Sequence, residues 1–275
     1  MMPTFTAHNI RLDDGTFTKP DARPMHEYPR FIAARDLLNT AFPGDKTGLR
    51  IADLGCLEGG FAVEFARMGF DALGIEVRKS NFEACEFVKQ RVDLPNLTFA
   101  HDNAWNVARY GPFDAIFCSG LLYHLDRPRE FLRLLSSQTR RLLILDTHFA
   151  TDRFGQVRFL PGRVRGTKFR LSRLTTNEGL RGRWWGEPAP RDEGQRWASW
   201  DNSRSFWLEH EDLMFAMQEA GFDLVMERAD FYGSRIIRNY KWELRGMFVG
   251  LKLPTTALHP REVRRGTPEA PALTA

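Results

Sequence analysis

The stretch Arg50-Ile-Ala-Asp-Leu-Gly-Cys-Leu-Glu-Gly-Gly60 constrains the fold more than any other part of this 275-residue chain. An apolar run ends at Asp53, glycines follow at Gly55 and Gly59, and a helical pattern begins at Phe61. This order predicts a buried strand, a tight turn and the first turn of a helix. Glycine in such a turn lets a ligand approach the backbone, and the helix N-terminus offers backbone N–H groups to that ligand.

The next apolar run along the chain, Asp71–Glu76, ends in an acid. A carboxylate in that place can accept hydrogen bonds from both hydroxyls of a ribose. The glycine turn and Glu76 together indicate a cofactor that contains adenosine. A dinucleotide fingerprint would need a glycine where Leu57 stands, and a P-loop would need a Gly-Lys-Ser/Thr ending that this turn lacks. S-adenosylmethionine is the remaining common choice.

Strands and helices are predicted to alternate along most of the chain. Continuous apolar runs separated by helical patterns favour an α/β fold with a parallel sheet covered on both faces. The polar residues 1–24 predict an irregular arm. Strands are expected near 50–55, 71–76, 97–101, 113–118, 141–146, 222–226 and 243–252. Helices are expected near 28–42, 59–69, 79–92, 127–137 and 210–220.

The run I-A-D-L-G-C-L-E-G-G resembles the first motif of class I S-adenosylmethionine-dependent methyltransferases. The segment Phe113–His124 resembles the region around their fourth strand, and L-L-Y-H-L is similar to a bacterial subgroup of them. The resemblance implies a Rossmann-like doubly wound seven-stranded sheet of order 3-2-1-4-5-7-6, with the last strand antiparallel and a cap inserted after strand five. Leu57 departs from the family pattern, because it takes the place of the usual middle glycine.

The resemblance also implies which residues hold the cofactor. The loop that begins at Asp53 would hold the methionine part, Glu76 would bind the ribose, and Asp102 would accept the adenine amine. The implied cofactor-binding residues are Asp53, Gly55, Cys56, Gly59, Glu76, Val77, Asp102, Asn103, Ala104 and Ser119.

Methyl transfer from a sulfonium is an in-line displacement, so the protein mainly supplies proximity and alignment. A general base helps if the acceptor is a hydroxyl or a protonated amine. Tyr123 and His124 follow strand four, and Asp146 and His148 end strand five, so neighbouring strands would bring these side chains together. His124 is the first candidate for a catalytic base and His148 the second; a structural hydrogen bond from His124 to a loop is the alternative. No close ligand spacing supports a metal site, and none is predicted.

Residues 149–208 show no clean periodicity, yet they contain five of the seven tryptophans. A loop of this length inside a compact domain needs a function, so we expect a cap over the open edge of the sheet. Tryptophan rings with a few polar groups suit a small-ligand pocket. The predicted acceptor contacts are Tyr123, Asp146, Trp184, Trp185, Trp200 and Asn202.

The sequence leaves three functions open. Methyl transfer to a small-molecule acceptor is the leading hypothesis. An RNA methyl- or carboxymethyltransferase is the alternative, because residues 153–183 hold nine Lys/Arg and one acid, and basic segments with aromatic rings bind RNA. A non-catalytic cofactor-binding protein is the third.

The identity of the donor is a separate question. The Leu-Tyr-His segment around Tyr123 also resembles the tRNA wobble-uridine carboxymethyltransferases, in which this tyrosine contacts the carboxylate of carboxy-S-adenosylmethionine. Few basic groups, among them Arg30 and Lys46, precede the first strand here. Ordinary S-adenosylmethionine is therefore the favoured donor.

The expected organisation is an N-terminal arm and helix over 1–47, a cofactor-binding core over 48–150, a basic Trp-rich cap over 151–208, the rest of the core over 209–253 and a disordered tail over 254–275. No apolar run reaches the roughly 20 residues that span a bilayer, and the N-terminus lacks a signal-peptide pattern. Three cysteines without metal-type pairing fit a reducing compartment. The sequence therefore predicts a cytoplasmic protein without membrane contact, and it leaves the oligomeric state open.

Overall fold

The computed structural model describes residues 3–151, 174–195, 197–228 and 245–253. Within these ranges the chain forms ten strands and five α-helices. The strands are β1 (Arg50–Leu54), β2 (Asp71–Glu76), β3 (Leu97–His101), β4 (Phe113–Ser119), β5 (Thr139–His148), β6 (Thr175–Asn177), β7 (Leu180–Gly186), β8 (Arg204–Leu208), β9 (Leu224–Arg228) and β10 (Arg245–Leu251). The helices are α1 (Pro29–Ala41), α2 (Gly60–Arg67), α3 (Lys79–Lys89), α4 (Pro128–Gln138) and α5 (His210–Glu219).

Seven of these strands form one sheet in the order β3-β2-β1-β4-β5-β10-β9. The first five are parallel, and β10 is antiparallel to both β5 and β9. Because β9 and β10 are the sixth and seventh strands of this sheet along the chain, the predicted order 3-2-1-4-5-7-6 with an antiparallel last strand is confirmed. The winding reverses between β1 and β4, and this switch point leaves a crevice outside the carboxyl ends of the strands.

Alternate residues of the strands supply two hydrophobic cores, one on each face of the sheet. One core contains Ile51 and Phe117 with Phe65 of α2, and the segment before α1 adds Phe5 and other apolar residues. The other core contains residues of the opposite parity, such as Ala52 and Ile116, with α4 and α5 packed on them. Both faces are therefore covered, which explains why the strands read as continuous apolar runs.

The insertion after β5 contains regular structure that the sequence analysis did not predict. β6, β7 and β8 form a separate antiparallel sheet in that order. Arginines and glycines interrupt the apolar alternation in β7. One of these glycines is required by packing, since a Cβ on Gly182 would overlap the backbone oxygen of Trp207. Leu180, Phe206 and Leu208 are buried in the second core and anchor this small sheet to the main one.

Smaller differences concern the ends of elements. The sixth core strand was expected over 222–226 and is found at Leu224–Arg228. Phe222 precedes it and packs against Gly250 of β10, where a Cβ would lie 2.7 Å from the ring. The predicted tail 254–275 and residues 153–173 of the basic segment lie outside the described residues. Within the described ranges, no helix combines the length and the apolar character needed to cross a membrane.

Candidate active site

A cavity of about 430 Å³ opens at the carboxyl ends of β1, β2 and β4. This volume lies within the usual range of small-ligand sites, roughly 300–1,000 Å³. Most of the residues that the sequence analysis singled out line it. These are Asp53, Gly55, Cys56, Glu76, Val77, Asp102, Asn103, Ala104, Ser119, Tyr123, His124, Trp200 and Asn202. Gly59, Asp146, His148, Trp184 and Trp185 do not line it.

The turn after β1 is closed by hydrogen bonds to β2. The backbone N–H groups of Gly55 and Cys56 donate to the carbonyl oxygen of Ile75 at 2.9 and 3.1 Å. Leu57 has a φ of 50°, in the left-handed region that favours glycine, and its N–H donates to Glu76 Oε2 at 2.9 Å. The position at which the resemblance implies a glycine is thus a leucine in a glycine-like conformation.

Gly59 has a packing role. Its φ is 81°, and a Cβ there would lie 2.6 Å from Cζ of Phe99. The glycine lets the start of α2 pack directly on β3, so its place in the motif follows from the contact between helix and sheet.

Asp53 is a buried carboxylate with an unsatisfied atom. Among the described residues, its Oδ2 has no hydrogen-bond partner. Burial raises the pKa of Asp53 to about 8, against the opposing effect of the Ala62 N–H at the start of α2. A hydrogen-bond acceptor in this position at the cavity wall suits a ligand group that donates a hydrogen bond or carries a positive charge.

Glu76, at the end of β2, is held in one orientation. Its Oε1 accepts a hydrogen bond from the Arg78 N–H at 2.8 Å, and Oε2 accepts from Leu57. Burial raises its pKa, and the two backbone N–H groups oppose that effect. The carboxylate is therefore held by backbone N–H groups from the turn after β1 and from the residues after β2.

Asp102 and Asn103 follow β3, and both form hydrogen bonds with residues of the segment that comes next. Asp102 accepts from the Asn106 amide at 2.6 Å and from the Tyr110 hydroxyl at 2.9 Å. Burial acts to raise the pKa of Asp102, but these hydrogen bonds outweigh it and the pKa is lowered. The Asn103 side chain donates to Asp201 in the insertion.

Asp146 lies behind the cavity wall in a buried ion cluster. It accepts from Arg245 Nε and Nη2, both at 2.8 Å, and from the Ser119 hydroxyl at 2.7 Å, while Arg30 Nε lies 3.0 Å away. Burial acts to raise its pKa, but the two guanidinium groups and the hydrogen bonds hold it at about 2. The arginines and Tyr123 line the cavity, whereas the carboxylate does not.

His124 is paired with a carboxylate from the insertion. Its Nδ1 lies 2.9 Å from Oε1 of Glu187, directly after β7. Glu187 also accepts from the Ser205 hydroxyl at 2.8 Å and from the Ser199 N–H at 3.1 Å. Burial acts to raise the pKa of Glu187, but the hydrogen bonds from His124, Ser199 and Ser205 oppose it, and the pKa is lowered.

His148 lies behind Tyr123. It stacks on Trp207 with ring centroids 4.8 Å apart, and Tyr123 contacts its ring edge-on at 4.6 Å. The structure therefore brings His124 to the cavity but leaves the second candidate base in an aromatic cluster behind it.

The tryptophans of the insertion divide into two groups. Trp184 packs on Phe206 and Trp185 on Trp207, with centroids 5.0 and 4.7 Å apart, so these two rings anchor the small sheet. Trp200 lines the cavity, and the guanidinium of Arg78 lies 4.9 Å from the centre of its ring.

Arg78 holds the segment made of residues 191–195 and 197–202 against the core. This arginine donates to the carbonyl oxygens of Asp192 and Ala198 at 2.9 and 2.7 Å. Glu193 accepts from the Lys79 N–H at 3.0 Å and from the Ser80 hydroxyl at 3.0 Å. These contacts hold the segment across the carboxyl end of β2.

The N-terminal arm forms another wall that sequence reasoning missed. Glu58 accepts hydrogen bonds from the backbone N–H groups of Thr6, Ala7 and His8. The Gly60 N–H donates to His8 Nδ1 at 3.0 Å, so the arm supplies an acceptor for the first N–H of α2. Burial lowers the pKa of His8 to about 4, which keeps the ring neutral and able to accept this bond. The one feature of the sequence that could have indicated this contact is Glu58, because a charged residue stands there in a turn of otherwise small or apolar residues.

No group of three or more His, Cys, Asp or Glu side chains among the described residues has the arrangement of a metal site.

The sheet order, the glycine turn and the acid at the end of β2 define a doubly wound α/β protein of the class that binds nucleotide-like ligands at the switch point. Within that class, the chain belongs to the family described as Methyltransferase domain, whose model matches residues 25–227. A search of curated proteins gives no match.

Several solved structures are similar to the chain. The N-terminal domain of EvdMO1 with S-adenosylhomocysteine bound has a TM-score of 0.59 and 26% identity, over 82% of each chain. The 1,6-didemethyltoxoflavin-N1-methyltransferase of Burkholderia thailandensis has a TM-score of 0.53 and 12% identity, over 82% of this chain and 79% of that one. The magnesium protoporphyrin IX methyltransferase of Synechocystis PCC 6803 has a TM-score of 0.50 and 14% identity, over 81% and 82%. The last two likenesses concern the fold alone.

Proposed function

We propose that this protein transfers a methyl group from S-adenosylmethionine to a small-molecule acceptor. The observation that carries the proposal is the pair of buried carboxylates, Asp53 and Glu76, at the carboxyl ends of adjacent strands in one cavity. The similar EvdMO1 domain, which has S-adenosylhomocysteine bound, supports the same cofactor.

The cofactor suits the donors and acceptors of the cavity. The unsatisfied Asp53 Oδ2 would accept from the ammonium group of the methionine part, and Glu76 would accept from the ribose hydroxyls. Asp102, Asn103 and Ala104 would border the adenine. When bound, the cofactor supplies a methyl group on a sulfonium that is already activated for displacement.

The acceptor would occupy the other part of the cavity, beside His124. Tyr123 and Asn202 contact His124 and line the cavity there. Trp200 and the exposed Trp197 add two more aromatic rings to the cavity lining. Aromatic walls with a few polar groups suit a small acceptor. The insertion, which we treat as a cap over 151–208, would exclude water from the sulfonium.

Calorimetry with S-adenosylhomocysteine, followed by incubation with labelled S-adenosylmethionine and a cell metabolite extract, tests this proposal. We expect binding, and transfer of label to an extract fraction. Binding without transfer would favour the hypothesis of a non-catalytic cofactor-binding protein. Absence of binding would refute the assignment of S-adenosylmethionine as the cofactor. A parallel incubation with total tRNA at low and high salt tests the RNA alternative, because binding to phosphates weakens steeply with salt.

A carboxylated donor is the second candidate, and one specific observation favours it. Arg30 and Arg245 lie at the cavity wall with Tyr123, and Arg245 lies 5.5 Å from the centre of the tyrosine ring. Guanidinium groups there would suit a carboxylate on the transferred carbon. Mass spectrometry of the product after supplying each donor separates methyl from carboxymethyl transfer.

A further inference from the structure

We infer that Glu187 of the cap positions His124 as a general base, and that the acceptor atom is therefore a hydroxyl oxygen. The inference rests on the proposed methyl transfer and deepens it. It concerns a residue of the insertion, directly after β7.

The geometry fixes the orientation of the imidazole. A carboxylate can only accept, so the 2.9 Å contact between Glu187 Oε1 and His124 Nδ1 places the proton of the neutral ring on Nδ1. The other nitrogen, Nε2, is then left with a lone pair. Since His124 lines the cavity and its side chain is 16% exposed, this tautomer makes it a proton acceptor there.

Glu187 is itself held in place. Its side chain is 7% exposed, and the Ser205 hydroxyl and Ser199 N–H bind its two oxygens. The Asn202 amide donates to the backbone oxygen of His124 at 3.0 Å, so the cap holds both the ring and its backbone. A buried carboxylate beside an imidazole also stabilises the imidazolium that forms when the base takes a proton.

A base is needed when the nucleophilic atom must lose a proton as it attacks. A neutral amine attacks through its lone pair. An ammonium group can lose its proton to solvent before the attack, and a thiol ionises near neutral pH unaided. A hydroxyl, in contrast, is a poor nucleophile until its proton is removed during the attack. In the step we propose, the acceptor oxygen forms a bond to the methyl carbon while the carbon–sulfur bond breaks. That electron pair stays on sulfur, and the hydroxyl proton passes to His124 Nε2.

The cap offers a matched control for Glu187. Glu193 is a second carboxylate that accepts from a backbone N–H and a serine hydroxyl, but its partners are Lys79 and Ser80 and not His124. Glu187→Gln and Glu193→Gln therefore remove the same charge from the same insertion, and only the first acts on His124.

The first test is a spectroscopic one that needs no acceptor. Nitrogen NMR of ¹⁵N-histidine-labelled protein with S-adenosylhomocysteine bound reports which ring nitrogen of His124 carries the proton. We expect Nδ1 in the wild type and in Glu193→Gln, and a mixture of tautomers in Glu187→Gln, because an amide can donate as well as accept. A proton on Nε2 in the wild type, or an unchanged tautomer in Glu187→Gln, would overturn the positioning role.

The second test identifies the acceptor atom. Incubation with [methyl-¹³C]-S-adenosylmethionine and a metabolite extract gives a carbon NMR shift that separates O-methyl from N-, S- and C-methyl products. We expect an O-methyl signal, and a kcat for Glu187→Gln that is about 10- to 100-fold below that of Glu193→Gln at a similar KM. An N-, S- or C-methyl signal would overturn the hydroxyl assignment. Absence of any transferred signal, with S-adenosylhomocysteine still bound, would refute the proposed function instead.

Discussion

The backbone N–H of Leu57 donates to Glu76 Oε2 at 2.9 Å, so the glycine turn after β1 and the acid that ends β2 form one hydrogen-bonded unit. The bond stabilises the left-handed backbone of Leu57 and turns the Glu76 carboxylate toward the cavity. A single side chain thus supports the shape of the turn and the proposed ribose contact.

Glu76→Ala should weaken the binding of S-adenosylhomocysteine by roughly 10- to 150-fold, because hydrogen bonds to a charged acceptor contribute about 1.5–3 kcal/mol. Isothermal calorimetry measures the change. Glu83→Ala, on the exposed face of α3 beside Lys79, is the control and should leave the affinity unaltered. Equal affinities of the two variants for S-adenosylhomocysteine would show that Glu76 does not bind the cofactor.

Binding of S-adenosylhomocysteine at pH 7 should release up to about one proton, because the free protein holds Asp53 protonated, with a pKa of about 8, and an ammonium ligand favours the carboxylate. Calorimetry in buffers of different ionisation enthalpy measures the release, and Asp53→Asn should abolish it. The same raised pKa means that the folded state holds the proton more tightly than the unfolded state. The contribution of Asp53 to the free energy of unfolding should therefore fall as the pH rises from 3.8 to about 8. Asp53→Asn should lack this pH dependence, because asparagine does not titrate.

Asp146→Asn should lower the free energy of unfolding by about 3 kcal/mol, because it leaves two guanidinium groups beside a neutral amide. Urea unfolding at pH 7 measures this. Asp71→Asn breaks an exposed contact with Arg50 and should cost no more than about 1 kcal/mol. The lowered pKa of Asp146 adds a pH signature, since its contribution is present above pH 3.8 and is lost as the pH falls through about 2. If both variants unfold at the same urea concentration, the buried cluster does not stabilise the fold.

Gly59→Ala should destabilise the protein more than Gly69→Ala. Both glycines have positive φ, so both variants incur backbone strain of roughly 1–2 kcal/mol. A Cβ on Gly59 would in addition overlap the ring of Phe99, whereas one on Gly69 would lie 3.7 Å from Cβ of Lys46. The overlap should cost about 1–3 kcal/mol more in thermal or urea unfolding. Equal losses of unfolding free energy in the two variants would show that Phe99 of β3 moves to accommodate the added methyl group.

Local patterns predicted most of the main sheet. The strand, turn and helix over 50–67 follow from apolar periodicity and glycine placement, and the carboxyl-end acids Asp53 and Glu76 follow from where each apolar run stops. The strands of the insertion could not be predicted from periodicity, because arginines and glycines interrupt the alternation of apolar residues in β7. The buried aromatic residues of the insertion instead pack on the core of the main sheet.

The sequence by itself determined the class of fold, the glycine turn after β1 and the position of His124 after β4, because each depends on residues that are close along the chain. Only the tertiary structure decided what surrounds them. His8 reaches Gly60 across 52 positions, Glu187 reaches His124 across 63, and Arg245 reaches Asp146 across 99. The last contact exists because β10 pairs with β5 and aligns Arg245 with His148. Such pairings depend on how strands are ordered and how an insertion folds back, and no periodicity along the chain encodes which distant side chain completes a site.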